Sequence, residues 1–359
     1  MKSSITASGA PATSWMLWIS LDVDLIKLFF IQLDLIKLFF IQYGVPQGSK
    51  LGPVLFNSYI APISEIARQN LVHDEKYADD EQLILAFKPK SPTGQTDAFK
   101  RMEKCIDEIR AFLNDNKLCN NSEKTEFLIM GSRKQLNSLK DSSITVDNSS
   151  IDSVPCVRNL GVMFDANMSM EKQVNKMCRS AYFNIRNIAK IRKCLPTGDL
   201  KTVVNALVTP HLDYGNSLLS GVNKALENKL QIAQNSAVRL INKLGKYDSI
   251  SKHRRDLHWL PIPARIEHKI LTLTWKVLNG QAPKYLEELL TLRQNGHNLR
   301  NCLILSIPDV KNHNTLVDRA FFRSAPKLWN SLPDDMRKHE KLENFKRHLK
   351  THLFRKYYK

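Results

Sequence analysis

The sequence predicts an α+β fold in which an antiparallel sheet with packed helices is followed by a long helical remainder. Three observations predict it. From Gln82 to Phe87, Leu83, Leu85 and Phe87 alternate with Gln82, Ile84 and Ala86, the period of a half-buried strand. Phe99, Met102, Ile106, Ile109 and Leu113 then recur at helical spacing. After residue 165 the helical period dominates, and 359 residues suffice for a full core and two or three domains.

Charge narrows the partner. Lys and Arg number 53 against 35 acidic residues, a formal net charge of +18, which favours a polyanion through phosphate neutralisation and counterion release. A basic surface kept for solubility and an anionic membrane surface are the alternatives. Cys105, Cys119, Cys156, Cys178, Cys194 and Cys302 are widely spaced, with neither a C-x-x-C pair nor histidines at zinc spacing. They read as reduced thiols of an intracellular protein, in the nucleus or cytoplasm. The start of the chain lacks the three-part pattern of a secretory signal, and Lys27, Asp34 and Lys37 interrupt the apolar run 25–41, so no membrane span is expected. The sequence does not specify an oligomeric state.

Residues 1–43 receive no structural assignment. The nonapeptide Asp24-Leu25-Ile26-Lys27-Leu28-Phe29-Phe30-Ile31-Gln32 recurs unchanged as Asp34 to Gln42, an identity that suits a recent duplication or a gene-model error better than a diverged repeat. Gly44 to Asn70 opens as a glycine-rich turn and continues as a helix with Leu55, Tyr59, Ile63 and Ile66 on one face, kinked or restarted at Pro62. His73-Asp74-Glu75-Lys76 is more polar than a buried strand should be. A loop from Lys88 to Gln95 leads to the helix of Phe99 to Leu113, and Val157 to Asp165 reads as a strand with Ser169 capping the next helix. Val174, Met177, Ala181, Ile185 and Ile188 mark that helix; Leu226, Leu230, Ala233, Ala237, Leu240 and Leu244 mark another. Around the first lie Lys172, Lys176, Arg179, Arg186, Lys190, Arg192 and Lys193. Trp259, Trp275 and Trp329 read as core anchors, and a last helix turns Phe345, Leu349 and Leu353 inward.

The chemistry concentrates at Lys76-Tyr77-Ala78-Asp79-Asp80-Glu81, where two adjacent carboxylates project from a tight bend before the strand. Magnesium takes oxygen ligands, and two such ions roughly 3.5–4 Å apart clamp the attacking and leaving oxygens of a phosphoryl transfer. Alone, an Asp-Asp pair is usually a solvated turn. Upstream stands Gly44-Val45-Pro46-Gln47-Gly48-Ser49-Lys50-Leu51-Gly52-Pro53-Val54-Leu55-Phe56-Asn57, where Gly48 allows close backbone approach and Gln47 and Ser49 offer hydrogen bonds.

Together, in this order and at this distance, the two stretches resemble the reverse transcriptases of non-LTR (LINE-type, jockey/CR1-like) retrotransposons, whose palm carries a GVPQGSxLGPxLF block followed by YADD. The resemblance runs from Gly44 almost to Lys359. It implies a partial polymerase palm over 44–165, a helical thumb-like region over 166–250 and a basic helical C-terminal region over 251–359. It further implies Asp79 and Asp80 as catalytic ligands of Mg2+ or Mn2+, and Gln47, Gly48 and Ser49 against template and incoming nucleotide. Tyr77 would pack beneath the nucleotide, or else be an ordinary core aromatic. Asn116 to Gly131 resembles the family's lysine-bearing block, so Lys124 would serve the departing pyrophosphate, or else lie on the surface. Implied partners are an RNA template, a DNA primer and deoxynucleoside triphosphates.

The family also places an aspartate-bearing strand upstream of the glycine-rich block, and no convincing copy of it is legible. Asp22 and Asp24 are the only candidates, closer to Gly44 than that block should be, which suggests an N-terminally truncated domain. Two readings follow: an RNA-directed DNA polymerase working by two-metal nucleotidyl transfer, or an inactive retroelement remnant that binds nucleic acid without sequence preference.

Overall fold

The computed structural model describes residues 15–24, 49–88, 94–139, 141–146, 149–293, 303–309 and 315–358. They form two compact units that divide between Met168 and Ser169. The first contains β1 (Trp15–Asp24), α1 (Gly52–Ile60), α2 (Pro62–Gln69), β2 (His73–Tyr77), β3 (Asp80–Phe87), α3 (Gly94–Asp115) and β4 (Cys119–Met130). A short α4 (Arg133–Leu136) precedes the hairpins β5 (Ser143–Val146) with β6 (Ser149–Asp152), and β7 (Cys156–Asn159) with β8 (Val162–Asp165).

Four strands make the main sheet in the order β2-β3-β1-β4, and every pairing is antiparallel. The first strand in sequence therefore lies between two later ones. The sequence assigns no element to residues 1–43, yet β1 comes from there, and beyond Asp24 the duplicated nonapeptide lies outside the described residues. One face of the sheet is covered by α3, whose Phe99, Met102, Ile106, Ile109 and Leu113 are buried against Leu83, Leu85, Phe87, Phe127 and Ile129. Phe99 meets Phe87 and Phe127 edge to face, with ring centroids 6.2 and 5.7 Å away, the geometry that aromatic quadrupoles favour. The other face of β3 is not left to water: Ile84 packs with Leu128, Val157 and Phe164, so the β7–β8 hairpin forms a second layer there.

Two expectations change. Pro62 ends one helix and starts the next, but Ala61 between them keeps an α-helical backbone, so the inward face runs on as Phe56, Ile60, Ile63 and Ala67, and the expected face over Leu55, Tyr59, Ile63 and Ile66 is one residue out of phase in α1. Ile63 is buried and Ile66 half-buried, whereas Leu55 and Tyr59 are exposed. The stretch 157–165 is a hairpin rather than a single strand, because Leu160 (φ 43°) and Gly161 (φ 83°) fill its two-residue loop in the left-handed region, as the tight turn that matches strand twist requires.

The second unit is helical: α5 (Glu171–Ile191), α6 (Thr197–Leu207), α7 (Thr209–Asp213), α8 (Lys224–Asn242), α9 (Ser251–Asp256), α10 (Ile262–Leu278), α11 (Lys284–Glu287), α12 (Thr315–Arg319), α13 (Phe321–Asn330), α14 (Asp334–Arg337) and α15 (Leu342–Tyr357). The Ser169 hydroxyl accepts a hydrogen bond from the Glu171 N–H at the start of α5 (3.2 Å). Val174, Met177, Ala181, Ile185 and Ile188 are buried, as their spacing predicts. Trp275 and Trp329 are fully buried around Phe345, their rings 6.0 and 5.8 Å from it. Each indole N–H donates to a carbonyl, of His339 and Leu303 respectively, which removes the cost of burying it. Gln234 Nε2 donates to the Leu260 carbonyl (2.9 Å) and Gln231 Oε1 accepts from Ile262 N–H (2.9 Å), tying α8 to the start of α10.

Because Phe99 joins the sheet to α3 through two edge-to-face contacts, Phe99→Ala should destabilise the protein by about 3–5 kcal/mol. A urea midpoint unchanged from wild type would show that this contact does not hold the first unit together.

Candidate functional site

The register of the sheet places acidic residues side by side. Tyr77 is opposite Asp80 across β2 and β3, Asp80 is opposite Asp22 across β3 and β1, and Asp22 is opposite Asn121 across β1 and β4. A single row thus crosses all four strands. Directly opposed positions in antiparallel strands share a face of the sheet, with Cα atoms about 4.5–5.5 Å apart. Asp79 occupies the two-residue turn beside this row, exposed, and Asp80 is half-buried at the head of β3. Ala78, the first residue of the turn, has φ 57°, a left-handed conformation that costs a β-carbon on the order of 1 kcal/mol.

Asp24, the other upstream carboxylate, is opposite Cys119 and two register steps beyond the row. The β1–β4 register shifts between Ser20, opposite Glu126, and Asp22, opposite Asn121. Lys124 lies in this bulged stretch and is exposed. Bulges re-aim side chains and are frequent beside active sites. Tyr77 is 64% exposed, which removes the alternative of a core aromatic. The Ser49 hydroxyl accepts from Leu51 N–H (3.2 Å) at the entry to α1. Gln47 and Gly48 lie outside the described residues.

Behind the turn sits a polar cluster. The Asp74 carboxylate accepts from the Ser64 hydroxyl (2.5 Å) and faces Lys76 at 3.6 Å, while Lys76 Nζ donates to the Ile60 carbonyl at the end of α1 (3.1 Å). These contacts account for the polarity of residues 73–76: β2 is an edge strand, and Asp74 and Lys76 tie it to α1 and α2. Glu81, opposite Lys76, is 2% exposed, and its Oε1 has no hydrogen-bond partner. Burial pushes its carboxyl up to about 7, with Lys76 pulling it down and Asp74 pushing it further up.

The opposite face of β3 carries a pair that the sequence does not announce. Gln82 Nε2 donates to Asn159 Oδ1 and Asn159 Nδ2 donates to Gln82 Oε1, both at 2.8 Å. This reciprocal amide pair fastens the β7–β8 hairpin to the strand that begins with Asp80. No local pattern could reveal it, since the residues are 77 positions apart.

The donor set suits a hard divalent cation, because Asp79, Asp80 and Asp22 offer only carboxylate oxygens. Among the side chains that the structure describes, no three His, Cys, Asp or Glu groups converge on one metal position; Asp22 joins the set through the backbone register of β1. Among the described residues, no helix is long and apolar enough to cross a membrane.

Residues 3–164 match the family described as reverse transcriptase (RNA-dependent DNA polymerase). This supports a reverse-transcriptase domain in the first unit, and the match begins well upstream of Gly44, so that it includes β1. No curated protein and no solved structure matches the chain.

The Glu81 carboxyl gives the site a signature in stability. An acid whose folded pKa is raised lets the unfolded chain ionise first, so the folded state should lose stability as pH rises from about 4.5 to about 7, and remain level above that. Glu81→Gln should flatten this slope and raise stability near neutral pH by up to about 3 kcal/mol. Urea unfolding at several pH values in EDTA tests it; a wild-type slope retained by the variant would assign the effect to another group.

Proposed function

We propose that the first unit, whose residues 3–164 match reverse transcriptases, is the palm of an RNA-directed DNA polymerase from a non-LTR, LINE-type retrotransposon. The GVPQGS and YADD blocks support the subtype. The observation that carries catalysis is the register pairing of Asp22 with Asp80, since it offers the third carboxylate whose absence would favour an inactive remnant. Residues 166–250 are taken as a thumb-like region and 251–359 as a basic C-terminal region.

In this reading Asp79, Asp80 and Asp22 hold two Mg2+ or Mn2+ ions. Bound there, the ions supply charge stabilisation to the attacking and leaving oxygens. The reaction joins a primer 3′-hydroxyl to the α-phosphate of a deoxynucleoside triphosphate, with RNA as template, and releases pyrophosphate. The protein's share is positioning and electrostatics. Ser49, with Gln47 and Gly48 before it, lines the approach of template and incoming nucleotide. Tyr77, exposed beside the row, offers an apolar face beneath the nucleotide. Lys124 either neutralises the departing pyrophosphate or gives it a proton. The Gln82–Asn159 pair holds the neighbouring hairpin while the turn bears its charge.

Primer extension on a primed RNA template with magnesium or manganese tests the proposal. Wild-type protein should extend the primer, and Asp79→Asn and Asp22→Asn should each lower the rate by a factor on the order of 10² or more. Asp24→Asn, away from the row, should leave it near wild type. Extension by Asp22→Asn at the wild-type rate would remove β1 from the active site, and no extension by wild type would favour the non-catalytic remnant.

A further inference from the structure

Helix α5 carries a second organised surface. Lys172, Lys176, Arg179, Phe183, Arg186 and Lys190 recur at alternating intervals of four and three residues, so they fall on one stripe about 27 Å long. The buried residues Val174, Met177, Cys178, Ala181, Ile185 and Ile188 occupy the opposite side, so the stripe is the outward face of a packed helix. Five of its six positions are cationic and the sixth is an aromatic ring that is 58% exposed.

Two features separate this stripe from an ordinary solvated face. The first is compensation. Elsewhere in the second unit several cations stand beside carboxylates: Arg265 with Asp213, Arg323 and Lys327 with Asp318, Lys346 with Glu343 and Lys356 with Glu267. Lys172, Arg179, Arg186 and Lys190 are exposed and form no ion pair among the described residues, and the one acidic residue of α5 is Glu171 at its first position. Uncompensated like charges at these intervals repel one another along a helix, so the arrangement is unfavourable until an anion meets it. The second feature is Phe183. A phenyl ring among four flanking cations gains nothing from a phosphate backbone, yet bases stack on aromatic rings whatever their identity, and only an unpaired base presents its face.

We propose that the outward stripe of α5 is a binding ridge for single-stranded nucleic acid, in which Lys172, Lys176, Arg179, Arg186 and Lys190 track the phosphates and Phe183 stacks on an unpaired base. The inference goes beyond the polymerase reading and does not depend on the aspartates. A duplex would use the cations but not the ring. An anionic membrane is the poorer fit, because the apolar side of α5 is already buried and one exposed phenyl ring is a small anchor.

Fluorescence anisotropy in EDTA tests the ridge, with the full chain, a labelled adenylate-rich single-stranded RNA and a fully paired RNA duplex of equal length. Phe183→Ala should weaken single-strand binding by about 5- to 100-fold, the range for loss of one stacked base. Duplex affinity and the salt slope should stay unchanged. Phe183→Trp should retain single-strand affinity, and Arg186→Gln should lower the salt slope for the single strand by about 0.7, one phosphate contact. The Asp79→Asn protein should bind as wild type does, so an inactive polymerase and a failed ridge give different results. Wild-type affinity in Phe183→Ala, or an equal loss on duplex, would overturn the proposal. So would wild-type binding to phosphatidylserine vesicles that Phe183→Ala abolishes while RNA affinity is kept. The exposed position of Phe183 predicts unchanged thermal midpoints, which separates lost binding from lost folding.

Discussion

The antiparallel insertion of β1 between β3 and β4 is the constraint on which the first unit depends. A β2–β3 hairpin alone is marginal in water, and β4 has no sequence neighbour to pair with in the main sheet. β1 supplies both missing edges: it runs beside β3 from Trp15 to Asp22 and beside β4 from Met16 to Asp24. The same backbone ladder that closes the sheet decides which carboxylates share a row. A slip of one residue would send the whole of β1 to the opposite face, so the position of Asp22 and the integrity of the core are set by one register.

Around that row the protein accepts several local penalties. Ala78 sits in a backbone conformation better suited to glycine, and Glu81 is buried with an oxygen that nothing bonds. Both flank Asp79 and Asp80. A row of aspartates is self-repelling, and another full negative charge behind it would add to the repulsion. The low polarity that keeps Glu81 protonated through mildly acidic pH therefore spares the turn that extra charge, although it weakens the fold once the group ionises. Lys76 offsets part of the remaining charge while also holding the last carbonyl of α1, so one cation serves both the hairpin and the helix that follows the glycine-rich turn.

What the sequence made legible was local. The alternation of Leu83, Leu85 and Phe87 and the helical spacing of Phe99 to Leu113 each involve neighbours within a few residues, and both sets are buried as their periods predict. The buried tryptophans were legible for the same reason. Long-range pairing was not. Asp22 and Asp80 are brought together by strand order, which periodicity does not encode, and β1 lies next to a duplicated apolar stretch that hides its own alternation. The expected face of α1, over Leu55 and Tyr59, is one residue out, because Phe56 and Ile60 are equally apolar and only the packing against the sheet selects them. The hairpin at 157–165 turned on Leu160 adopting a positive φ, which a leucine rarely signals.

The two units treat charge in opposite ways. In the first, ionic groups are gathered inward: Asp74, Lys76 and Glu81 lie under the sheet, and Asp79 and Asp80 stand at the turn that ends its β2–β3 hairpin. In the second, ion pairs such as Arg265 with Asp213 and Lys356 with Glu267 join separate helices, whereas the exposed Lys172, Arg179, Arg186 and Lys190 of α5 meet no acid among the described residues. The formal charge of +18 is therefore a poor guide by itself, because paired lysines and arginines hold no counterions to release. Cations that remain unpaired are the ones that can exchange small ions for a polyanion. On that argument the exposed, unpaired Lys172, Arg179, Arg186 and Lys190 would contribute more to binding a polyanion than an equal number of paired cations, a difference that the total charge does not register.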